Sequence, residues 1–415
     1  MTRPTSPWRY LGLAFVVLGV GVLAVLAVQA IPRPAEVPGA APTAAPAPSS
    51  PSSPPVATAA LYVDPRGSDT DDGTAAAPLA TIQAALDKAT PGTVINLAPG
   101  VYRETLATVR DGAPGAPITI KGPESGKDRA GRYRAVVFGT GRVVSVNHSY
   151  YTFAGFTIDG QEKLAGTAYP TDLAAVTAFK NRVQPQVADG RLIYIGAADD
   201  TRDLTGITIH NMFLNGAGGE CVRLRNNAHD NAITDSVIQY CGMFGKGDDD
   251  ERAKYHNGEG VYIGTSPNSD SQPMHANDGS SRNLVARNTI RTFGSECFNV
   301  KENAHDNVLE DNVCSDNTEF AEFDGSNIEL RGHSNVVRNN EISDSAGVNI
   351  KIRSDSKKFD RGGNVVENNR ISGGAAVFML DSAVPQGRMC GNRVTTQTLT
   401  LDDDGEPVGD ITAPC

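Results

Sequence analysis

The chain has 415 residues, of which 39% are hydrophobic and 20% charged, enough for one large domain or two ordinary domains with a buried core. This composition excludes a disordered chain. The 48 acidic and 37 basic residues give a net charge of −11, which argues against a nucleic-acid-binding protein with a general basic surface. Any anionic partner must be met by a local group of basic residues.

The first residues form a segment of their own. Arg3 and Arg9 precede an uncharged, mostly apolar run over 11–30, whose length of about 20 residues is sufficient to span a bilayer as a helix. The run ends on Ala-Val-Gln-Ala, a loose match to a cleavage site, so residues 1–31 are either a cleaved signal peptide or an uncleaved signal anchor. The length favours the anchor. Both alternatives predict an extracytoplasmic protein, membrane-anchored at the cell surface or secreted.

Residues 32–60 are rich in Pro, Ala and Ser and lack apolar periodicity, so they are predicted to be a linker. After the linker, apolar residues at Leu79, Ile82 and Leu86 predict a short helix that stops before Thr90-Pro91-Gly92. Such a helix can cover the open end of a stack of strands.

A six-residue pattern that begins with asparagine recurs at 231–236, 283–288, 307–312, 335–340 and 364–369. The last three spacings, 24, 28 and 29 residues, lie in the range of solenoid coils. A longer phrase also recurs, since 219–231 reads GECVRLRNNAHDN and 295–307 reads SECFNVKENAHDN. Each unit is therefore predicted to be one turn of a solenoid.

Within the units apolar and polar residues alternate with period two, as in strands that bury one face. One inward stack is predicted to contain Val222, Val261, Phe298, Ile328 and Ile350. A second is predicted to contain Ile233, Val285, Leu309, Val337 and Val366. The asparagines at the strand borders are interpreted as turn formers that tolerate left-handed backbone and bond neighbouring amides.

The capping segment and the asparagine-rich units together resemble right-handed parallel β-helix proteins of the pectin-lyase-like fold. The resemblance implies an all-β fold, a right-handed parallel β-helix solenoid over 61–415 with a short N-terminal capping helix. Lyases, hydrolases, epimerases and adhesins share this fold, so it does not by itself identify a function.

The chain has six cysteines, at 221, 241, 297, 314, 390 and 415. Disulfides are expected outside the cytoplasm, and six cysteines allow 15 connectivities. Pairing of Cys390 with Cys415 is favoured because it would fix the C-terminus. No Cys-x-x-Cys pair is present, which leaves a zinc site without support.

Stacking the turns on their inward residues produces an outward basic column of Arg225, Gly264, Lys301, Arg331 and Arg353. Like charges stacked directly destabilise a sheet, so an anion bound along the column is expected. The alternative is that these long side chains extend into solvent at little cost.

Glu220, Glu259 and Glu296 form a second predicted column, two residues before the first inward position. Their mutual repulsion would be relieved by calcium, which takes oxygen ligands. Regular stacking puts Glu220 and Glu296 about 9–10 Å apart, so one ion would join Glu259 to Glu296 rather than all three. Turn capping or pairing with the basic column is the alternative.

The run 296–301, the segment 307–312 and Arg331-Gly332-His333 are similar to the active-site turns of chondroitinase B and its alginate lyase relatives. The resemblance implies that Lys301 is the base, that Arg331 assists as the acid, and that Glu296 and Glu259 belong to the calcium column. The sequence departs from the family pattern after Arg331, where the family has His-Gly.

β-Elimination in a uronate removes a weakly acidic proton beside a carboxylate, and a cation must neutralise that carboxylate. Lysine, with an ordinary pKa of about 10.4, becomes a better base when nearby cations lower that pKa. Lys301 therefore suits the reaction better than Arg225, whose guanidinium stays protonated. Arg225, Arg353 and Asn299 are predicted to bind the substrate.

Two long loops, 243–257 and 265–283, flank the turn at 259–263 and are predicted to wall a binding groove. The acidic run 248–251 is interpreted as a solvated loop tip.

The favoured function is a calcium-assisted lyase or epimerase acting on a uronate-containing acidic polysaccharide, and the protein is expected to be a monomer. One alternative is a glycoside hydrolase, whose two carboxyls would be Glu259 with Glu296, or Glu322 with Asp324. The other is a non-catalytic cell-surface β-helix that binds carbohydrate or is structural. No nucleic-acid partner is expected, and a membrane contact is expected only through an uncleaved N-terminal segment.

Overall fold

The computed structural model describes residues 59–123, 126–128, 131–198, 201–244, 258–267, 277–317, 325–354, 358–395, 400–402 and 409–415. The predicted segment 1–31, nearly all of the linker 32–60, the acidic run 248–251, and both Glu322 and Asp324 lie outside these residues. Within the described ranges, no helix is long and apolar enough to cross a membrane.

The described strands form three parallel sheets of 11, 10 and 10 strands, stacked as a right-handed parallel β-helix. We number the sheets in the order in which each turn of the chain visits them. Sheet 1 contains Ala60–Val63, Val94–Leu97, Ile118–Lys121, Tyr151–Ala154, Thr208–His210, Ala232–Thr234, Leu284–Ala286, Val308–Glu310, Val336–Arg338, Val365–Glu367 and Met389–Cys390. Sheet 2 contains Gly100–Arg103, Ala135–Phe138, Thr157–Asp159, Phe213–Asn215, Val237–Gln239, Thr289–Arg291, Val313–Ser315, Glu341–Ser343, Arg370–Ser372 and Arg393–Val394. Sheet 3 contains Leu106–Ala107, Gly141–Val146, Gly190–Ile195, Val222–Leu224, Val261–Ile263, Phe298–Val300, Ser326–Leu330, Val348–Arg353, Ala376–Asp381 and Thr400–Leu401.

The inward stack predicted from the alternating pattern is confirmed on sheet 3. Its five members pair in register from turn to turn and are fully buried: Val222, Val261, Phe298, Ile328 and Ile350. A slip of one residue would move every one of these side chains to the outer face, so burial of the stack fixes the register. The same register decides which polar residues meet outside the coil.

The asparagines of the repeated pattern form a buried ladder. Each donates its side-chain amide to the side-chain oxygen of the next at 2.9–3.1 Å, in the order Asn231, Asn283, Asn307, Asn335 and Asn364. The predicted bonding is confirmed, and left-handed backbone occurs at Asn339 (φ 57°) and Asn368 (φ 59°) within the pattern, although not at the five ladder residues. At the ladder, left-handed backbone lies one residue earlier, as at Asp230 (φ 54°) and Asp306 (φ 55°), because the preceding residue reverses the chain and the asparagine side chain points into the stack.

The predicted capping helix, α1, spans Ile82–Lys88 and buries Leu86 against the first turn of the coil. The Thr81 hydroxyl accepts the N–H of Ala84 at 3.2 Å, and Glu104 accepts the first two helical N–H groups at 2.9 Å each. These bonds satisfy the free donors of the helix N-terminus. Leu79 is buried just before the helix begins.

A second helical segment was not predicted. The insertion (residues 160–189) connects sheet 2 to sheet 3 and contains helix α2, Val176–Val183, with short 3-10 helices at Glu162–Leu164, Leu173–Ala175 and Gln184–Gln186. It packs its apolar residues into a cluster separate from the coil interior.

Three disulfides link Cys221 to Cys241, Cys297 to Cys314 and Cys390 to Cys415. The last is the pair favoured from the sequence. The other two disulfides each join two successive turns, where the register brings the cysteines together.

Candidate active site on the outer face of sheet 3

The outward residues of sheet 3 form a buried polar column that the sequence analysis did not single out as a unit. Its members pair in register and are between 2% and 8% exposed: Arg223, Tyr262, Asn299, Glu329 and Lys351. Burying charged groups is costly unless they are paired. This column runs beside the predicted basic column, whose residues follow the same strands.

Lys301 lies in this cluster and is 6% exposed, with its Nζ atom 4.8 Å from the centre of the Tyr262 ring. Burial and the Arg331 guanidinium lower the pKa of Lys301. The Tyr262 phenol and the carboxylates of Glu329 and Glu259 raise it by more, so the pKa of Lys301 lies above its ordinary value. This direction is opposite to the one expected from the sequence, because the expectation counted the cations near Lys301 and omitted its acidic neighbours.

Glu329 connects the basic residues of three neighbouring turns. Its Oε2 lies 3.1 Å from Arg331 Nη2 and accepts the Asn299 amide at 2.8 Å. Its Oε1 accepts a hydrogen bond from Arg353 Nε. Burial raises the pKa of Glu329, but Arg331, Arg353 and Lys301 together hold it well below its usual range.

Glu329 was not predicted because the basic column consists of residues at the ends of the strands, and Glu329 lies inside one. The available signal was its register: it is the outward residue directly above Asn299.

Arg225 is separated from Lys301 by the turn that carries Gly264. Its guanidinium donates to the Thr265 hydroxyl at 2.8 Å and to the Tyr194 phenol at 2.7 Å. Arg225 is thus held in a defined position at one side of the cluster, as a residue that contacts an anionic substrate would have to be. Its binding role, like that of Arg353 and Asn299, stays a prediction.

The three glutamates have different surroundings. Both oxygens of Glu220 are engaged by arginines, Oε1 by Arg223 at 2.7 Å and Oε2 by Arg191. Glu296 accepts hydrogen bonds from the Ser295 hydroxyl and, at 3.1 Å, from the Asn299 amide. Glu220 is therefore poorly suited to a metal ion.

Glu259 is the unsatisfied member. It is 3% exposed, and its Oε2 has no hydrogen-bond partner in the part of the chain that the structure describes. Burial, with the nearby Glu296 and Glu220 carboxylates, raises its pKa to about 8. A hard cation held by Glu259 and Glu296 would remove this cost, so the donor set fits calcium.

The three glutamates do not converge as tightly as a preformed metal centre. Among the described residues, three potential ligand atoms from His, Cys, Asp or Glu lie within 4.8 Å of one another only at Glu367, Cys390 and Cys415. The two cysteines of this group form a disulfide. A calcium ion on sheet 3 would therefore use Glu259 and Glu296 with oxygen ligands from substrate or water.

A family comparison covers most of the folded chain. Residues 66–318 match the family described as a protein of unknown function, DUF1565. This chain belongs to the DUF1565 family. The matched region of the DUF1565 chain includes Glu259, Glu296 and Lys301, and it ends before Arg331.

Two curated proteins are similar to short parts of the DUF1565 chain. The uncharacterized protein YwoF of Bacillus subtilis (strain 168) is 42% identical over 65 residues, 16% of this chain and 14% of the relative. Pectate lyase PEL9 of Emericella nidulans is 41% identical over 73 residues, 17% of this chain and 18% of the relative. The chain thus spans less than a fifth of the length of these relatives.

Two solved structures share the fold of the DUF1565 chain. The alginate lyase of Paenibacillus sp. str. FPU-7 superposes with a TM-score of 0.54 at 18% identity, over 77% of this chain and 94% of that one. Pectate lyase Pel9A superposes with a TM-score of 0.51 at 15% identity, over 84% of this chain and 81% of that one. At these identities the likeness establishes the parallel β-helix.

Proposed function

We propose that this protein is an extracytoplasmic polysaccharide lyase, or an epimerase of the same proton-abstraction chemistry, acting on a uronate-containing polysaccharide on the outer face of sheet 3. The observation that carries the proposal is that the buried Lys301 lies close to Arg331 and to the buried Glu259 on neighbouring turns. The similarity to a relative named pectate lyase and to a structure named alginate lyase supports the substrate class.

Each residue has a role that its surroundings allow. Lys301 abstracts the proton beside the substrate carboxylate, and the electron pair forms the double bond as the glycosidic C–O bond breaks. Arg331, held by Glu329, donates a hydrogen bond to the departing oxygen, which takes its proton from water. Arg225 and Arg353 bind carboxylates of neighbouring sugar units in the polysaccharide. Calcium, held by Glu259 and Glu296, would neutralise the carboxylate of the reacting uronate.

Extracytoplasmic location is supported by the three disulfides, which persist in oxidising compartments. The N-terminal segment 1–31 would export the protein and, if uncleaved, keep it at the membrane. A monomer is proposed because the β-helix is capped at its N-terminus by its own helix.

A glycoside hydrolase is the second candidate, and the raised pKa of Glu259 favours it. A carboxyl with a pKa of about 8 is protonated at neutral pH, as the acid of a hydrolase must be. The two functions give different products, because elimination leaves an unsaturated uronate and hydrolysis leaves a saturated one.

Incubation with alginate, pectate and dermatan, monitored for the ultraviolet absorbance of unsaturated uronate, tests the proposal. Lys301→Arg keeps the positive charge but cannot serve as the base, so turnover should fall by about 100-fold or more with substrate binding largely retained. Arg225→Lys, the matched exchange in the equivalent position of an earlier turn, should leave turnover mostly intact. New reducing ends without absorbance would favour the hydrolase, and near-full activity of Lys301→Arg would place the base elsewhere.

A further inference from the structure

A pocket of 270 Å³ lies on sheet 2, on a different sheet from the candidate active site. One wall is the first part of the insertion, residues 164–169, and the other is formed by outward side chains of three successive sheet 2 strands. The next turn makes the same connection from sheet 2 to sheet 3 with residues 216–221 alone. The longer connection thus builds a cavity that the coil itself does not require.

A row of polar side chains lies along the pocket. Asp159, Asn215 and Gln239 occupy the same register position on successive turns of sheet 2. Asn215 donates its amide to Asp159 Oδ2 at 2.8 Å, and Gln239 donates its amide to Asn215 Oδ1 at 2.9 Å. This chain of bonds fixes the direction of each amide, so the side-chain oxygen of Gln239 is presented as an acceptor.

Asp159 is buried among neutral donors. It is 3% exposed, and the N–H of Gln161 and the Asn215 amide bond its two oxygens at 2.8 Å each. Burial raises the pKa of Asp159, and the charge of Arg132, which also lines the pocket, lowers it by less. In the described part of the chain no basic side chain forms an ion pair with Asp159, and Arg132 itself is paired with Asp128, Nε to Oδ2, at 2.8 Å. A buried carboxylate is stabilised by further donors, and it repels an anion. Because Arg132 is already paired with Asp128, the lining favours an uncharged ligand that carries hydroxyl groups.

Aromatic side chains form the apolar part of the pocket. Tyr169, from the insertion, meets Tyr240 edge-on with ring centres 4.9 Å apart, and Phe213 lines the pocket beside them. Ring surfaces next to hydroxyl-binding side chains match a pyranose, which has one apolar face of C–H groups and a rim of hydroxyls. The residues 165–168 at the mouth are exposed, which gives a polymer access.

We propose that this pocket is a second carbohydrate-binding site, which takes one uncharged pyranose unit of a polysaccharide through hydroxyl contacts with Asp159 and Gln239. It catalyses nothing and holds a chain or branch while the outer face of sheet 3 acts on another segment. When one site holds the polymer, the effective concentration of the polymer at the other site rises.

The test is the binding of neutral tetrasaccharides of glucose, xylose, mannose and galactose to the full-length protein, measured by calorimetry and by ligand-observed NMR. Thr167→Trp adds bulk at the exposed mouth of the pocket, and Gln239→Ala removes one hydroxyl contact. Thr177→Trp is the matched control, because Thr177 is exposed on helix α2 and does not line the pocket. Lys301→Ala disables the proposed reaction on sheet 3 without touching the pocket.

At least one tetrasaccharide should bind saturably, and its affinity should fall about tenfold or more in Thr167→Trp and Gln239→Ala while Thr177→Trp and Lys301→Ala bind normally. Absence of saturable binding by every tetrasaccharide would overturn the proposal. So would binding that survives both pocket variants, or binding that is lost in Lys301→Ala. Lys301→Ala changes the sheet 3 site and leaves the pocket intact. Failure of the proposed lyase activity would therefore not overturn the proposed binding in the pocket.

Discussion

At the residue scale, the surroundings of Lys301 set a pH dependence for the proposed reaction. Its pKa is raised, so at neutral pH only a small fraction is the neutral amine that can act as base. While the pH stays below the pKa, that fraction grows about tenfold for each unit by which the pH rises. The value of kcat/KM should therefore rise between about pH 7 and pH 9. Initial rates in buffers of constant ionic strength measure this. A rate that falls over the same interval would indicate an acid with a pKa in that range, such as Glu259, as the limiting group.

Glu329 provides a second residue-scale prediction. Glu329→Gln removes the buried carboxylate that the nearly buried Arg331 shares with the partly exposed Arg353, so we expect a loss of about 3 kcal/mol of unfolding free energy. The exposed Glu341→Gln, on the next turn, should lose almost nothing.

The pH dependence of that stability has a definite sign. The folded-state pKa of Glu329 is depressed, so its contribution is fully present above its unfolded value and is lost as pH falls through the folded value. Denaturant unfolding of the wild type and of Glu329→Gln, from neutral to acid pH, measures this contribution. The wild type should lose its advantage over Glu329→Gln on acidification, and an advantage that grows instead would contradict the assignment.

At the element scale, the turn that carries Glu296 is fixed by a disulfide. Cys297 directly follows Glu296, and its partner Cys314 lies in the sheet 2 strand of the next turn. Replacing both cysteines by serine should cost about 3 kcal/mol of unfolding free energy and lower activity at calcium concentrations that saturate the wild type. The matched double replacement of Cys390 and Cys415 should lower stability and leave activity unchanged. Equal activity losses in the two variants would show that the effect is global.

The strands could be predicted from the sequence because burial leaves a period-two signal and the asparagine pattern marks each turn. Val261 and Phe298 are 37 residues apart in the chain, yet the aligned patterns paired them correctly. The insertion was missed because its apolar cluster packs partly against Tyr240 and Phe293, from later turns. The pairing of Cys221 with Cys241 was missed because spacing does not show which side chains face each other across a turn.

At the scale of the whole molecule, a chain of net charge −11 buries Arg223, Lys301 and Lys351 along sheet 3. Lys301, Arg331 and Arg353 lie on consecutive turns, as expected. This part of the candidate site could be predicted because the inward stack sets the strand register. The electrostatics could not be predicted, because the pKa of Lys301 depends on Tyr262 and Glu329, whose outward positions matter only once the turns are stacked.

The most direct test of the central claim is a crystal structure of Lys301→Ala grown with calcium and a uronate tetrasaccharide. We predict a cation at Glu259 and Glu296, a uronate carboxylate bound beside it, and the sugar chain along the outer face of sheet 3 between Arg225 and Arg353. A tetrasaccharide bound on another sheet, or a cation absent from Glu259 and Glu296 while the sugar occupies sheet 3, would contradict the proposed calcium-assisted reaction.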